Sequence, residues 1–166
     1  PNVQITYYNK KKFDKYKLLP PETWDELLEA AKIFKAEEGR GRVGLKLWGG
    51  SPTATQVYEM IVSAGGEPFL FNDRGCMETF MFLKKLYPYL SPESRKAKWD
   101  NTNTYLANGS FYIAQNWPFA TNIIVKEYGK KEIKAYSGWR GAEREAHVIG
   151  GEVLGIAKGA PNKELA

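Results

Sequence analysis

The sequence predicts a layered α/β domain, because amphipathic helix patterns alternate along it with short apolar strand patterns. Its 166 residues, 43% of them hydrophobic, are enough to bury one core or to form one lobe of a larger protein. No apolar run approaches the length of a membrane-spanning helix. These observations favour a globular unit built on a sheet with helices packed against it.

The first third of the chain contains the clearest helix signal. Residues 3–8 alternate as a strand does, and residues 10–16 follow as a short helix. Thr23 and Glu26 then form a capping box, in which each side chain satisfies a backbone N–H at the start of a helix. Apolar residues continue this helix at helical spacing, namely Trp24, Leu27, Leu28, Ala31 and Phe34. Gly39 follows the last of these turns, so a long helix packed on a sheet is predicted to end there.

The middle of the chain predicts a second strand and three further helices. Residues 43–47 fit a short buried strand, and residues 53–64 fit a helix. A helix over 76–90 follows, and its predicted buried face consists of Cys76, Phe80, Leu83, Tyr87 and Leu90. The polar segment 91–100 is interpreted as a loop or broken helix, and residues 101–107 as a short helix.

The stretch around Trp117 is the most informative in the chain. Residues 111–114 fit a strand, and Pro118 suits the first turn of a helix to Tyr128, because the N–H that proline lacks would be unpaired there. Trp117 is thereby placed at the carboxyl end of a strand, where open α/β sheets collect ligands. A core position for its ring is the alternative interpretation. The remaining predicted strands are 132–136 and 153–157.

Charge and reactive residues argue against several functions. The net charge is +5, but the lysines are dispersed and form no basic stripe with interleaved aromatics, so nucleic-acid binding is not favoured. The chain has one cysteine, Cys76, and one histidine, His147. These are too few for an internal disulfide or for a metal site built from cysteines or histidines. No nucleophile elbow or phosphate-binding glycine loop occurs. We therefore predict no metal, no cofactor and no enzyme activity; a hydrolase with an unrecognised carboxylate pair is the alternative.

Tryptophans stand where predicted elements end. Trp48 and Trp117 each follow a strand, and Trp139 lies in a loop with little helix or strand character. A flat indole can pack on the apolar C–H face of a sugar while neighbouring polar groups bind its hydroxyls. Core packing is the commoner role of any one tryptophan, but three at element ends predict at least one ligand contact.

Short motifs occur in a fixed order along nearly the whole chain. They are Tyr7-Tyr8-Asn9-Lys10 with Phe13, Pro21-Glu22-Thr23-Trp24-Asp25-Glu26-Leu27, Ser63-Ala64-Gly65-Gly66, Leu106-Ala107-Asn108-Gly109-Ser110 leading to Trp117-Pro118, Gly150-Gly151, and Ala160-Pro161-Asn162-Lys163-Glu164-Leu165-Ala166. In this order they resemble the maltose-binding-protein-like extracellular solute-binding proteins of bacterial and archaeal ABC importers. The Pro-x-Thr-Trp-Asp-Glu-Leu run is the most specific of them.

Members of that family have two α/β lobes joined by crossing strands, with the solute held in the cleft between the lobes. The resemblance implies one lobe of a type II periplasmic-binding-protein-like fold, with a mixed sheet in an α/β/α arrangement. Residues 1–150 would form the second, C-terminal-type lobe, and residues 151–166 the returning crossover strand and the start of the first-lobe segment. Both ends of the sequence read as interrupted, so we expect a fragment that carries one cleft wall and lacks its first lobe.

The predicted ligand-binding residues are Trp117, Trp48, Ser51, Thr53, Gly150, Gly151, Glu152 and Trp139. By resemblance, Trp117 corresponds to the aromatic residue that typically stacks on a bound sugar. Relatives often carry an aromatic residue at the place of Glu152, and a carboxylate there would instead accept bonds from hydroxyls or attract a cation. Trp139 lies in a variable loop.

The resemblance implies that the protein binds a carbohydrate and delivers it to the membrane permease of an ABC importer. Its location would be periplasmic or otherwise extracytoplasmic, with a lipid anchor as an option for the full-length protein. The fragment could also form a homo-oligomer. A glycerol phosphodiester or a polyamine is the alternative solute, with Arg140 favouring the first and Glu152 the second. A basic nucleic-acid-binding domain is the less favoured alternative.

Overall fold

The computed structural model describes residues 2–152, 155–159 and 161–162. Within these ranges the strands are β1 (Asn2–Val3), β2 (Ile5–Asn9), β3 (Val43–Gly44), β4 (Ile113–Asn116), β5 (Ile133–Tyr136) and β6 (Ile149–Gly150). The α-helices are α1 (Lys10–Lys15), α2 (Trp24–Glu38), α3 (Gly50–Ser63), α4 (Arg74–Leu86), α5 (Trp99–Ala107) and α6 (Ala120–Asn122). Short 3₁₀-helices cover Tyr87–Tyr89 and Pro92–Lys96, and a π-helix over Ile123–Glu127 continues α6.

The central sheet is mixed and has the strand order β3-β4-β2-β5. β2 pairs antiparallel with both β4 and β5, whereas β3 runs parallel to β4. β1 and β6 form a separate antiparallel ribbon, in which Asn2 pairs with Gly150. The two segments that flank the main sheet in sequence therefore run side by side.

Helices cover both faces of the sheet. Ile113 of β4 packs in the larger core together with residues of α1, α2, α3 and α4, such as Phe34. The next residue, Ala114, belongs to a second core with Leu106 of α5 and Ile124 of the π-helix. Successive strand residues point to opposite faces, so β4 contributes to both cores. This layered arrangement with a mixed sheet confirms the predicted fold class.

The capping box at the start of α2 is formed as predicted. Thr23 Oγ1 accepts a hydrogen bond from the backbone N–H of Glu26 (3.3 Å), and Glu26 Oε2 accepts one from the backbone N–H of Thr23 (3.1 Å). Gly39 ends the helix at a left-handed φ of 67°, which glycine adopts without steric penalty. The predicted apolar stripe of this helix is buried except for Leu28, which is partly exposed.

The predicted strand 43–47 forms a ladder over its first two residues only. Side chains accept the hydrogen bonds of the next two backbone N–H groups. The N–H of Leu45 donates to Ser94 Oγ (3.2 Å), and the N–H of Lys46 donates to Gln56 Oε1 (2.8 Å). The next residue returns to a backbone partner, since the N–H of Leu47 donates to the Ser94 carbonyl (3.0 Å).

The buried face of α4 differs from the predicted one. Phe80 and Tyr87 are each 48% exposed, whereas Thr79 and Phe82 are buried. Phe82 stacks on Trp24 of α2, with ring centroids 4.7 Å apart. Because α4 carries apolar side chains on adjacent faces, helical spacing alone did not single out the face that packs against α2.

The last predicted strand, 153–157, requires a correction. Val153 and Leu154 lie outside the described residues, and 155–157 form no strand. The strand observed near this end is β6, Ile149–Gly150, which pairs with the two residues of β1.

Candidate ligand-binding site

Trp117 lies directly after β4, at the carboxyl end of the strand. Its carbonyl accepts a hydrogen bond from the hydroxyl of Tyr7 (3.2 Å), and that hydroxyl also pairs with Thr121 Oγ1 (2.8 Å). The last residue of β4, Asn116, is fully buried and donates from Nδ2 to Asn103 Oδ1 (2.7 Å). These contacts fix the strand-to-helix corner and leave the indole of Trp117 partly exposed.

The indole of Trp117 lines an open groove of about 540 Å³. The other lining residues are Asn2, Trp99, Phe119, Gly150, Gly151 and Glu152. The rings of Trp99 and Trp117 meet edge to face, with their centroids 6.3 Å apart. The groove therefore brings together four residues of the predicted site, namely Trp117, Gly150, Gly151 and Glu152.

Gly150 packs against the indole of Trp117. A methyl group on Gly150 would come 2.9 Å from Trp117 Cη2 and 3.0 Å from Cζ3. We therefore expect Gly150→Ala to displace the ring and to lower the free energy of unfolding by about 1 kcal/mol, the low end of the cost of overpacking, because the ring is partly exposed and can move. Urea denaturation measures the loss, and the indole N–H shift of Trp117 reports the displacement.

Gly151→Ala is the matched control for this substitution. A methyl group on Gly151 would meet no atom of the described part of the chain within 4 Å. It should change the free energy of unfolding by less than about 0.5 kcal/mol. Equal effects of the two substitutions would contradict the close packing of Gly150 on Trp117.

Trp48 lies on the loop between β3 and α3 and is 55% exposed. The hydroxyl of Thr53 holds this loop, because it donates to the Lys46 carbonyl (2.8 Å) and accepts from the N–H of Gly49 (2.8 Å). Since its single O–H is already donated, Thr53 positions the loop and has no free donor for a ligand. Ser51 is exposed at the start of α3. The structure does not place Trp48, Ser51 or Thr53 in the wall of the groove.

Trp139 is buried, at 4% exposure, in the larger core, so the structure corrects its prediction as a ligand contact. Its loop is pinned to the start of α2. The N–H of Arg140 donates to the Glu22 carbonyl (2.9 Å), and the Arg140 carbonyl accepts from the N–H of Trp24 (3.1 Å). This pairing holds the neighbouring indole inside, and it places Arg140 beside α2 and outside the groove.

A buried polar network connects β4 with the segment that leads into β6. Glu59 of α3 is 5% exposed, and its carboxylate accepts hydrogen bonds from Gln115 Nε2 (2.5 Å) and Gln4 Nε2 (3.2 Å). The same carboxylate accepts from the backbone N–H of Val148 (2.9 Å). Lys46 is 1% exposed, and its Nζ donates to Gln4 Oε1 (3.0 Å) and the Gln115 carbonyl (2.8 Å). The two glutamines thus bridge a buried cation and a buried carboxylate.

Burial shifts the pKa values of both charged groups in this network. Burial lowers the pKa of Lys46 to about 7, and the attraction of Glu59 opposes that shift. Burial also raises the pKa of Glu59, and the hydrogen bonds that its carboxylate accepts oppose the change. Both shifts have the same cause, since a charged group loses its hydration when it is buried.

The sequence analysis missed Trp99 and Phe119 as groove residues. Trp99 falls in the segment predicted as a loop or broken helix, but it is the first residue of α5. The side chain of Asn101 accepts a hydrogen bond from the N–H of Lys98 (2.7 Å) and so fixes the start of this helix. The signal that could have found Trp99 is the one that found Trp117, an aromatic side chain at the end of an element.

Two features of other protein classes are absent from residues 2–152, 155–159 and 161–162. Within these ranges, no group of three or more His, Cys, Asp or Glu side chains could hold a metal ion. No helix there combines the length and apolar character needed to cross a membrane. The thiol of Cys76 is buried, as predicted.

The mixed sheet, its two helical layers and the groove at the end of β4 define one lobe of a type II periplasmic-binding-protein fold. The sequence profile of the family described as bacterial extracellular solute-binding protein matches residues 2–166. The chain belongs to this family, which confirms the resemblance found in the sequence.

Solved structures share the fold. The chain is similar to maltose-bound MalE3 of T. maritima (TM-score 0.82, 23% identity), and the match covers 99% of this chain and 46% of that protein. It is similar to an ABC transporter solute-binding protein of Thermotoga lettingae bound with α-D-tagatose (TM-score 0.77, 24% identity), and the match covers 98% of this chain and 45% of that protein. A third match is the cyclic α-maltosyl-1,6-maltose binding protein of Arthrobacter globiformis (TM-score 0.71, 23% identity), which covers 87% of this chain and 39% of that protein. The chain spans less than half the length of these proteins.

Proposed function

We propose that the chain forms one wall of an interlobe cleft that binds a carbohydrate, in a protein that delivers its solute to the membrane permease of an ABC importer. Residues 1–150 would be the second lobe of that protein, and residues 151–166 would return towards the first lobe. The protein would work outside the cytoplasm, and its task would be binding and delivery with no covalent chemistry.

The main support for this proposal is the position of Trp117. Its indole is partly exposed beside a groove at the carboxyl end of β4, and Trp99 adds a second ring at 6.3 Å between centroids. Aromatic rings in a groove offer flat apolar surface to the C–H face of a sugar. The ligands named for the three similar structures are also sugars, which supports the same class of solute here.

Polar groups at the edge of the groove complement its aromatic wall. Asn2 and Glu152 are both exposed there, and their side-chain oxygens can accept hydrogen bonds from sugar hydroxyls. Gly151 has open space around it, which leaves room for a ligand to approach the backbone. The groove thus offers apolar stacking and polar contacts, the two kinds of contact that a pyranose needs.

A single wall provides only part of the binding contacts. In a two-lobed protein, a sugar that touches both lobes would favour the closed arrangement by the difference between its affinities for the closed and open states. We therefore expect this chain to bind sugars more weakly than its two-lobed parent protein does. Equal affinities of the two proteins for one sugar would refute the division of the cleft between two lobes.

Replacing the stacking ring tests the site itself. Trp117→Ala should weaken binding of maltotriose to this chain about tenfold or more, because a central aromatic contact contributes a large share of the binding free energy. The affinity can be measured by following backbone amide shifts in an NMR titration. Phe80→Ala is the matched control, since it removes a half-exposed ring on α4 outside the groove. Unchanged affinity in Trp117→Ala would exclude Trp117 as the stacking residue.

A further inference from the structure

Large apolar side chains form an exposed patch on α4 and on the turn that precedes it. α4 packs on α2 through Phe82, but it has a second apolar face, where Met77, Phe80 and Met81 recur at the spacing of helical neighbours. The ring centroid of Phe71 lies 6.2 Å from that of Phe80, so the turn and this face of the helix are in contact. We call this surface the α4 patch. Its members are each between 48% and 76% exposed, namely Phe69, Leu70, Phe71, Met77, Phe80 and Met81.

The α4 patch is larger than the apolar surface that a monomeric protein usually exposes. At these exposures its six side chains present on the order of 700 Å², if a large apolar side chain covers roughly 200 Å². The largest apolar patch of a typical monomer measures about 300–600 Å². Each partner in a stable protein–protein interface buries about 800 Å². The patch therefore has about the size of one side of a stable dimer interface.

Phe71 in this patch has an unfavourable backbone conformation. Its φ of 52° lies in the left-handed region, which glycine adopts freely and a bulky side chain adopts at a cost. The ring is nevertheless 49% exposed, so packing within the chain uses only part of it. Backbone strain of this kind is typical of functional surfaces. Phe71 therefore supports a role of the patch in contact with a partner.

The charges around the patch favour a second copy of the chain as that partner. Residues 67–85 contain three acidic and three basic side chains, namely Glu67, Asp73, Glu78, Arg74, Lys84 and Lys85. This segment is therefore neutral, although the whole chain carries a net charge of +5. An anionic membrane surface or a nucleic acid would require an excess of positive charge here. Two neutral rims can meet without repulsion, and their opposite charges can pair across a twofold axis.

We propose that the α4 patch binds the α4 patch of a second copy of the chain. The contact is isologous, since the same residues occur on both of its sides. Phenylalanine and methionine, which make up most of the patch, are enriched in the cores of protein–protein interfaces. The groove beside Trp117 is lined by other residues, so the inference is independent of the proposed carbohydrate binding.

Sedimentation velocity tests the association of the 166-residue chain. Over a range of about 5–200 µM we expect a monomer–dimer equilibrium with a dissociation constant of about 10 µM or tighter, the range of interfaces of this size. A chain that remains monomeric over the whole range would overturn the proposal.

The three methionines of the chain locate the contact. Met77 and Met81 belong to the patch, whereas Met60 is buried in the larger core. With isotope-labelled methionine methyl groups, the NMR signals of Met77 and Met81 should shift with protein concentration, and the signal of Met60 should not. A dimer that forms without shifts at Met77 and Met81 would use another surface and would overturn the proposal.

Met77→Asp tests the patch by substitution. Met77 is 66% exposed near the first turn of α4, where an acidic side chain suits the helix dipole, so the variant should fold. In the dimer the substitution would bury a carboxylate against apolar surface, which should weaken association about tenfold or more. Leu19→Asp is the matched control, because it makes the same kind of change at an 85% exposed side chain outside the patch. It should leave the dissociation constant unchanged, and undiminished association in Met77→Asp would contradict the proposal.

Other partners give different results. A chain that stays monomeric but binds phosphatidylglycerol vesicles, with shifts at Met77 and Met81, would assign the patch to a membrane surface and overturn the second copy. A monomeric two-lobed parent beside a dimeric chain would assign the patch to the rest of the parent, with the same consequence. The affinity of Met77→Asp for maltotriose should equal that of the unsubstituted chain, so the test of carbohydrate binding stays separate.

Discussion

Replacing Glu59 with alanine should lower the free energy of unfolding by about 3–5 kcal/mol, the usual cost of removing one partner from a buried charged network. Three donors would lose their acceptor, namely Gln4 Nε2, Gln115 Nε2 and the N–H of Val148. The buried ammonium of Lys46 would also lose its only opposing charge in this network. Urea denaturation followed by circular dichroism measures the change.

Glu37→Ala is the control for the loss of a glutamate. Glu37 lies on the exposed face of α2, so its removal should change the free energy of unfolding by less than about 0.5 kcal/mol. A cost below about 1 kcal/mol for Glu59→Ala would mean that the network is not an important source of stability.

The free energy of unfolding should rise with pH above neutrality because of Lys46. Its pKa is 10.5 in the unfolded reference and about 7 in the folded chain. Between these values the unfolded chain binds more protons, so each unit of increase in pH stabilises the fold by up to about 1.4 kcal/mol. This contribution is complete above the unfolded pKa and is lost as the pH falls through 7. The raised pKa of Glu59 acts in the opposite direction, with stability lost as pH rises from 4.5.

Urea denaturation at about pH 7, 8 and 9 tests this dependence. Lys46→Met should abolish the rise, whereas Lys35→Met, which removes an exposed lysine of α2, should preserve it. Measurements above about pH 10 would be less direct, because burial raises the pKa values of Tyr112 and Tyr136, and their ionisation then favours unfolding. A rise of equal size in Lys46→Met would contradict the assignment of this dependence to Lys46.

Local chemistry explains which parts of the fold the sequence could predict. The start of α2 depends on Thr23 and Glu26, two residues of one helical turn, and the structure has both hydrogen bonds of the box. The face of α4 depends on which neighbour packs against it, and that neighbour is Trp24 of a different helix. Helical spacing alone could not supply this distant contact, so Phe80 was wrongly predicted to be buried.

The tryptophans show the same limit for the candidate site. Trp117 and Trp139 both stand at the ends of elements, yet one lines a groove and the other is buried in the core. Trp139 is held in the core by the backbone hydrogen bonds of Arg140 with residues at the start of α2. No local sequence pattern predicts these hydrogen bonds. The burial of Lys46 was equally out of reach, because its partners Gln4 and Gln115 are far from it in sequence.

The β1–β6 ribbon has a practical consequence. Asn2 and Gly150 face each other across it, at the spacing of about 5 Å that paired strand residues keep. The chain between these two residues therefore begins and ends at neighbouring positions. A unit with adjoining ends can be spliced into a surface loop of an unrelated host, since the host chain needs no rerouting to accommodate it. We therefore expect a surface loop of a host protein to accept residues 2–150 as an insertion without rerouting of the host chain.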